Sequence, residues 1–233
     1  MQTYNFEPIS GEYINAADAR LDPMETEAQG QSVYLLPANA TFEAPPITGE
    51  NETAVWMDGA WQISTDYRGQ VYYDTATGER RVITKVGIEP DPSWTDQSPG
   101  ENETWNANTG QWEPDLSAHI TLKIAEIDRA FSEAIAEPVI IEVGGVIYRM
   151  DGREDSARRM DEGVELASRA GEPTIDVIDY DNVPHVGVSL VDGREIATRQ
   201  GLAYRANYYK RAQLRYLVMQ AASIEALSAI SWA

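Results

Sequence analysis

Gly49-Glu-Asn-Glu-Thr53 recurs letter for letter at Gly100-Glu-Asn-Glu-Thr104, and a tryptophan pair follows each copy: Trp56-Met-Asp-Gly-Ala-Trp61, then Trp105-Asn-Ala-Asn-Thr-Gly-Gln-Trp112. A five-residue identity repeated roughly 50 residues apart marks a duplicated module. Asp58-Gly59 and Asn108-Thr109-Gly110 lie between the paired tryptophans, and these residue types tolerate the positive φ that tight hairpin turns require. Each module therefore reads as a small hairpin with a cross-strand aromatic pair. A two-stranded unit is marginal without a large apolar payload, so Trp56, Trp61, Trp105 and Trp112 are read first as module core. Their second reading is a ligand platform that stacks on sugar rings.

Upstream, residues 1–48 are punctuated by Pro8, Gly11, Pro23, Gly30, Pro37, Pro45 and Pro46. They predict extended chain and isolated strands that lean on something else. Between the two copies, Thr65 to Gly78 reads as strand, turn and strand, continued by Arg80–Val86, and Glu89 to Trp94 reads as a loop.

From His119 the period changes. Ile120, Ile124, Ile127, Phe131 and Ala134 are spaced 4, 3, 4, 3, with Lys123, Glu126, Asp128, Arg129 and Glu133 on the polar face. That predicts an amphipathic helix with Ser117 as N-cap, packed either on its own domain or against other copies as an oligomer seam. Val139 to Met150 reads as a hairpin turning at Gly144-Gly145, and Asp155–Ala170 as a helix stopped by Gly171. Thr174–Tyr180 and Val183–Val191 read as a second strand pair around Asp181-Asn182. One long helix is expected from Asp192 to the end. It carries Leu214, Leu217, Ala221 and Ile224 on one face and Leu202, Tyr209 and Tyr216, spaced by sevens, on another. Two apolar faces imply contact on two sides. The fold class is α+β: small Trp-pair hairpin modules, a central amphipathic helix, and a C-terminal α+β domain ending in a long helix. The expected divisions are 1–48 as an extended segment, 49–117 as the duplicated modules, 118–137 as a linking helix and 138–233 as the C-terminal domain.

Charge narrows the partners. The chain of 233 residues has a formal net charge of −20. Residues 1–117 hold 20 acidic against 5 basic side chains, and the remainder 18 against 13. Such a surface repels phosphate backbones and anionic headgroups, so neither nucleic acid nor membrane insertion is expected. The basic stretch Arg194–Arg215, interleaved with tyrosines, reads as a partner for acidic surface. Neither a basic, apolar leader nor a run of about 18 apolar residues occurs, which predicts a soluble protein made in a cytoplasm. Cysteine is absent, which rules out disulfides and thiolate chemistry. Gly144-Gly145 precedes a strand, whereas phosphate cradling requires a helix start. His119 and His185 have no evident shared target, and the acids Asp179 and Asp181 read as a turn in preference to a calcium site. No catalytic residue, cofactor or metal is therefore expected.

The opening Tyr4-Asn-Phe-Glu-Pro-Ile-Ser-Gly-Glu-Tyr13, the stretch Tyr34 to Pro46, the Trp56–Trp61 element and Asp66-Tyr-Arg-Gly69 together resemble small phage tail-fibre and tail-fibre-assembly proteins. The half from Pro138 onward is similar to an uncharacterised domain of phage tail proteins. The resemblance implies a non-enzymatic role in protein–protein assembly, with tail-fibre or baseplate proteins as partners. Location would be the virion tail, and the host cytoplasm during assembly. The reading taken is a structural tail part that makes assembly contacts and touches the host surface. The alternatives are a transient fibre-folding chaperone and a module that binds a host-surface glycan. Candidate interaction residues are the four paired tryptophans, then Ile120, Ile124, Ile127 and Phe131 on the central helix and Tyr209, Tyr216, Leu214 and Leu217 on the last one. The two helices would form the seam of a self-associated trimer.

Overall fold

The computed structural model describes residues 1–232. The chain divides into two compact units, Met1–Glu113 and Pro114 onward.

The first unit repeats an architecture as well as a motif. β1 (Gln2–Phe6) pairs antiparallel with β2 (Tyr13–Asp18), and after the short helix α1 (Pro23–Gln29) the strand β3 (Ala40–Thr41) joins the other edge of β1. The hairpin of β4 (Glu52–Met57) and β5 (Ala60–Thr65) follows. The pattern then returns: β6 (Val71–Asp74) lies between β7 (Arg80–Val82) and β8 (Trp94–Thr95), and a hairpin of β9 (Glu103–Asn106) and β10 (Gln111–Pro114) completes it. Each copy is a three-stranded sheet followed by a tryptophan hairpin. α1 belongs to the first copy only; Asp22 caps it, accepting from the Met24 and Glu25 N–H groups, and Gly30 ends it in the left-handed region.

Local chemistry explains why unlike sequences make the same turns. Between β1 and β2 the Glu7 carboxylate accepts from the Ile9 and Ser10 N–H groups, and the Gly11 N–H donates to the Glu7 carbonyl at 2.8 Å. Between β6 and β7 the Asp74 carboxylate accepts from Ala76 and Thr77, and the Gly78 N–H donates to the Asp74 carbonyl at 2.7 Å. Gly11 and Gly78 have φ of +73° and +71°. The repeated pentapeptide supplies another pair of turns: Glu52 and Glu103 accept from the Gly49 and Gly100 N–H groups, with Asn51 and Asn102 both at φ 56°.

The second unit starts with α2 (Leu116–Ala136), capped by Asp115, which accepts from Ser117 and Ala118. The cap thus lies two residues before the expected Ser117, because a carboxylate satisfies two orphan N–H groups at once. β11 (Pro138–Val143) and β12 (Val146–Asp151) turn through Gly144-Gly145, both at positive φ, and α3 (Glu154–Ala170) stops at Gly171. β13 (Thr174–Ile178) and β14 (Pro184–Ser189) form the second hairpin, and α4 (Leu190–Gln220) runs from the cap Ser189. α4 ends at Gln220 and a short α5 (Ile224–Ser228) follows, so the expected single helix to the terminus is two. Ser223 restarts the chain by capping α5.

Two clusters hold this unit. Ile141, Tyr148, Met150, Val177, Val188 and Ile196 join both hairpins to α4. Ile127, Val218 and Leu227 join α2, α4 and α5. Burying an isoleucine such as Ile127, 1% exposed, stabilises by roughly 2–3 kcal/mol. Fully buried Gln200 ties α4 to the end of β12, donating to the Asp151 carbonyl at 2.7 Å.

Candidate functional site

The paired tryptophans have the same geometry in both copies. Trp56 and Trp61 are cross-strand partners with ring centroids 5.3 Å apart at 72°, and Trp105 and Trp112 stand 5.4 Å apart at 69°. Each second tryptophan donates its indole N–H to a backbone carbonyl of its own module, Trp61 to Glu43 at 2.8 Å and Trp112 to Gln97 at 2.9 Å. Phe6 stacks on Trp56 at 5.8 Å, and Tyr13 meets Trp61 edge-on at 5.8 Å. All four indoles are half-buried. One ring face of Trp56 and two indole N–H groups are therefore engaged inside the chain, which leaves less of each pair for a sugar than the sequence alone suggests.

The signature residues of the opening converge here. Phe6 and Tyr13 frame the first tryptophan pair, and the Gly11 carbonyl accepts the Trp56 N–H at 2.7 Å. Glu12 meets Arg68 at 2.6 Å, and Arg68 also binds Asp66 at 2.7 Å. The hydrogen bond from Arg68 holds Asp66 below the usual carboxylate range against a smaller opposing effect of burial. Stretches far apart in sequence thus close on one module.

On α2, Ile127 and Phe131 are buried, and Ile120 and Ile124 are half-buried, packed against the cluster that α4 and α5 complete. Leu214 packs in the same cluster, whereas Leu217 lies exposed at 44%. Tyr209 and Tyr216, 62% and 63% exposed, point away from it. The expected interaction residues therefore separate into two sets: the α2 stripe with Leu214, which meet inside the unit, and the α4 tyrosines with Leu217, which do not.

Four of the arginines of α4, Arg194, Arg199, Arg211 and Arg215, have acids near at hand. Asp128 of α2 receives Arg211 at 2.7 Å and Arg215 at 2.9 Å, and Arg211 also lies 4.9 Å over the Phe131 ring. The Arg211 hydrogen bond, outweighing burial, holds Asp128 below its ordinary value. Arg194 reaches Ser168 at 2.8 Å, and Arg199 pairs with Glu195 at 2.6 Å. One carboxylate shared by two guanidiniums leaves a local positive excess.

Asp179 accepts from the Asp181 and Val183 N–H groups at 2.9 Å each and meets His185 at 3.2 Å, and Asp181 binds Arg149 at 2.6 Å. Burial opposes ionisation of Asp179, yet the Val183 N–H and His185 together hold it below the ordinary range. These acids build the turn between β13 and β14. Among the described residues no three or more His, Asp or Glu side chains gather as a metal site would need, and no helix is long and apolar enough to cross a membrane.

The chain is 30% identical over 131 residues to a tail fiber assembly protein of Escherichia phage lambda. It is 28% identical over 130 residues to a prophage tail fiber assembly protein homolog of Escherichia coli strain K12. This chain resembles phage tail-fibre assembly proteins. The match takes in 55% of this chain and 61% and 62% of those two relatives, so it spans less than two thirds of their length. No protein-family model matches the chain, and no solved structure does.

Proposed function

We propose that this chain is a phage tail-fibre assembly factor, a non-enzymatic protein that binds fibre chains in the host cytoplasm while they are built into a tail. The observation that carries the reading is the similarity to two tail fiber assembly proteins over about 130 residues. The geometry is consistent with it. The second unit closes two clusters of its own around α4, and Asp128 is engaged there by Arg211 and Arg215. What remains outside is apolar surface suited to gripping another chain, such as Tyr209 and Tyr216.

This favours the assembly factor over the permanent tail part expected from sequence, because the relatives' names speak of assembly. The test uses the cognate phage. Deleting the gene is expected to lower the yield of fibred, infective particles, and purified virions of the parent phage are expected to lack the chain by mass spectrometry. Stoichiometric presence in virions would restore the tail-part reading. Normal fibres without the gene would end the assembly reading.

A further inference from the structure

α4 has an outer stripe that nothing in its own unit covers. Counting at 100° per residue, Leu202, Tyr208, Tyr209, Ala212, Tyr216 and Met219 share one side of the helix, and the opposite side carries the buried Ile196, Gln200 and Val218. Tyr209, Tyr216 and Met219 are each more than 60% exposed. Tyr208, Ala212, Tyr216 and Met219, with Arg211 and Arg215, line an open hollow of about 360 Å³. Its floor is Ala212, the smallest side chain of the stripe, so an incoming apolar group can approach the helix closely between two tyrosines.

The charge around this stripe is one-sided. From Ile196 to Gln220 α4 carries Arg199, Arg205, Lys210, Arg211 and Arg215 and no acid, within a chain of net charge −20. Arg205 has no salt-bridge partner among the described residues, and Arg211 and Arg215 share the single carboxylate of Asp128. A second copy laid on the same stripe would set arginine against arginine with no acid from residues 196–220 of either copy to answer it, and Glu195 just before them is already paired with Arg199. An acidic partner answers it directly.

We propose that the outer stripe of α4 is a docking site for an acidic amphipathic helix of a partner protein. Its apolar side chains enter the hollow over Ala212, between Tyr208 and Tyr216. Its carboxylates meet Arg205, Arg211 and Arg215. Leu202, Tyr209 and Tyr216 recur by sevens, the spacing at which a second helix stays in register along a first. Only the owner of the helix, a tail-fibre chain, rests on the assembly reading; the chemistry of the stripe stands without it.

The full chain is titrated with a fluorescent synthetic helix of three heptads, leucine and phenylalanine on one face and glutamate flanking them, and with a twin carrying lysine for glutamate. The acidic helix is expected to bind and the basic twin to fail, with binding weakened at about 1 M salt as exposed charges are screened. Tyr216→Ser and Arg205→Glu, both at exposed positions, are each expected to weaken binding about fivefold or more without moving the unfolding midpoint. Equal binding of both peptides, or binding indifferent to both substitutions, overturns the proposal. So does a dimer in light scattering that Tyr216→Ser dissolves, which would give the stripe to a second copy, or tighter binding of duplex DNA than of the acidic helix. Acidic-helix binding in a phage whose fibres assemble normally without the gene would keep the stripe and end the assembly reading. The converse result would do the reverse.

Discussion

Replacing Gly11 by alanine tests whether the first module closes as described. Gly11 is buried at φ +73°, and a Cβ there would lie 2.3 Å from the Trp56 carbonyl oxygen. Alanine in the left-handed region costs about 1–2 kcal/mol. The collision is with backbone, so the strand must move. The Gly11 carbonyl to Trp56 N–H bond then goes, about 1 kcal/mol, together with part of the Phe6–Trp56 stacking, about 0.5–1.5 kcal/mol. Gly59→Ala is the control: φ is +81°, with nothing within 4 Å of its Cβ, so only the backbone cost applies. Gly78 holds the equivalent turn of the second copy at φ +71°, and its Cβ would make an ordinary 3.4 Å contact with Pro99. The expected order is Gly11→Ala about 2 kcal/mol worse than either Gly59→Ala or Gly78→Ala. Urea unfolding followed by tryptophan fluorescence reads this, because five of the six tryptophans lie in the first unit. The added loss should lower the midpoint by roughly 1 M. Equal midpoints for the three variants would refute the closure of Gly11 on the tryptophan hairpin.

Other outcomes follow from the second unit and the module cores. Ile127→Ala should destabilise the second unit by about 2–5 kcal/mol, while Tyr209→Ala stays within about 0.5 kcal/mol, both read by thermal unfolding. The reverse order would mean that the α2 stripe is not core. Asp128→Ala should cost about 1 kcal/mol after allowance for its partial exposure, and less in 1 M salt. Because its folded pKa is depressed, the Asp128 contribution is fully present well above the ordinary value of 3.8 and is lost as pH falls from there through the folded pKa. The stability gap between parent and Asp128→Ala should close over that range in acid titrations. Trp61→Phe and Trp112→Phe each remove one indole hydrogen bond and should each cost about 1 kcal/mol in urea unfolding; no loss in either would remove those bonds from the account.

The sequence was most legible where one residue type answers one geometric demand. Gly144-Gly145 and Asp58-Gly59 gave the hairpin turns, Gly171 the end of α3, and the 4, 3 spacing of Ile120 to Phe131 the buried face of α2. The α2 period left two partners open, its own domain or another copy. Leu214 and Val218 of α4 decide for the former, a contact that no local pattern encodes. The repeat is visible at the pentapeptide and the tryptophan pair that follows it. Its upstream part is hidden because Glu7-Pro-Ile-Ser-Gly11 and Asp74-Thr-Ala-Thr-Gly78 share an acid and a glycine and little else, while their backbone bonds coincide. The end of α4 at Gln220 has no such signal, since neither glycine nor proline stops it.

Two identical pentapeptides in one chain raise a problem of address. During folding, nothing in Gly49–Thr53 distinguishes it from Gly100–Thr104, and a strand borrowed from the other copy would find the same glutamate, the same asparagine turn and an equivalent tryptophan. The span between the paired tryptophans differs, however: two residues link β4 to β5, and four link β9 to β10. A hybrid hairpin of β4 with β10 would have to enclose residues 58–110, and one of β5 with β9 residues 66–102, whereas each native one closes over a few residues, so proximity sorts the copies. Loop length here acts as a label that the repeated letters cannot carry.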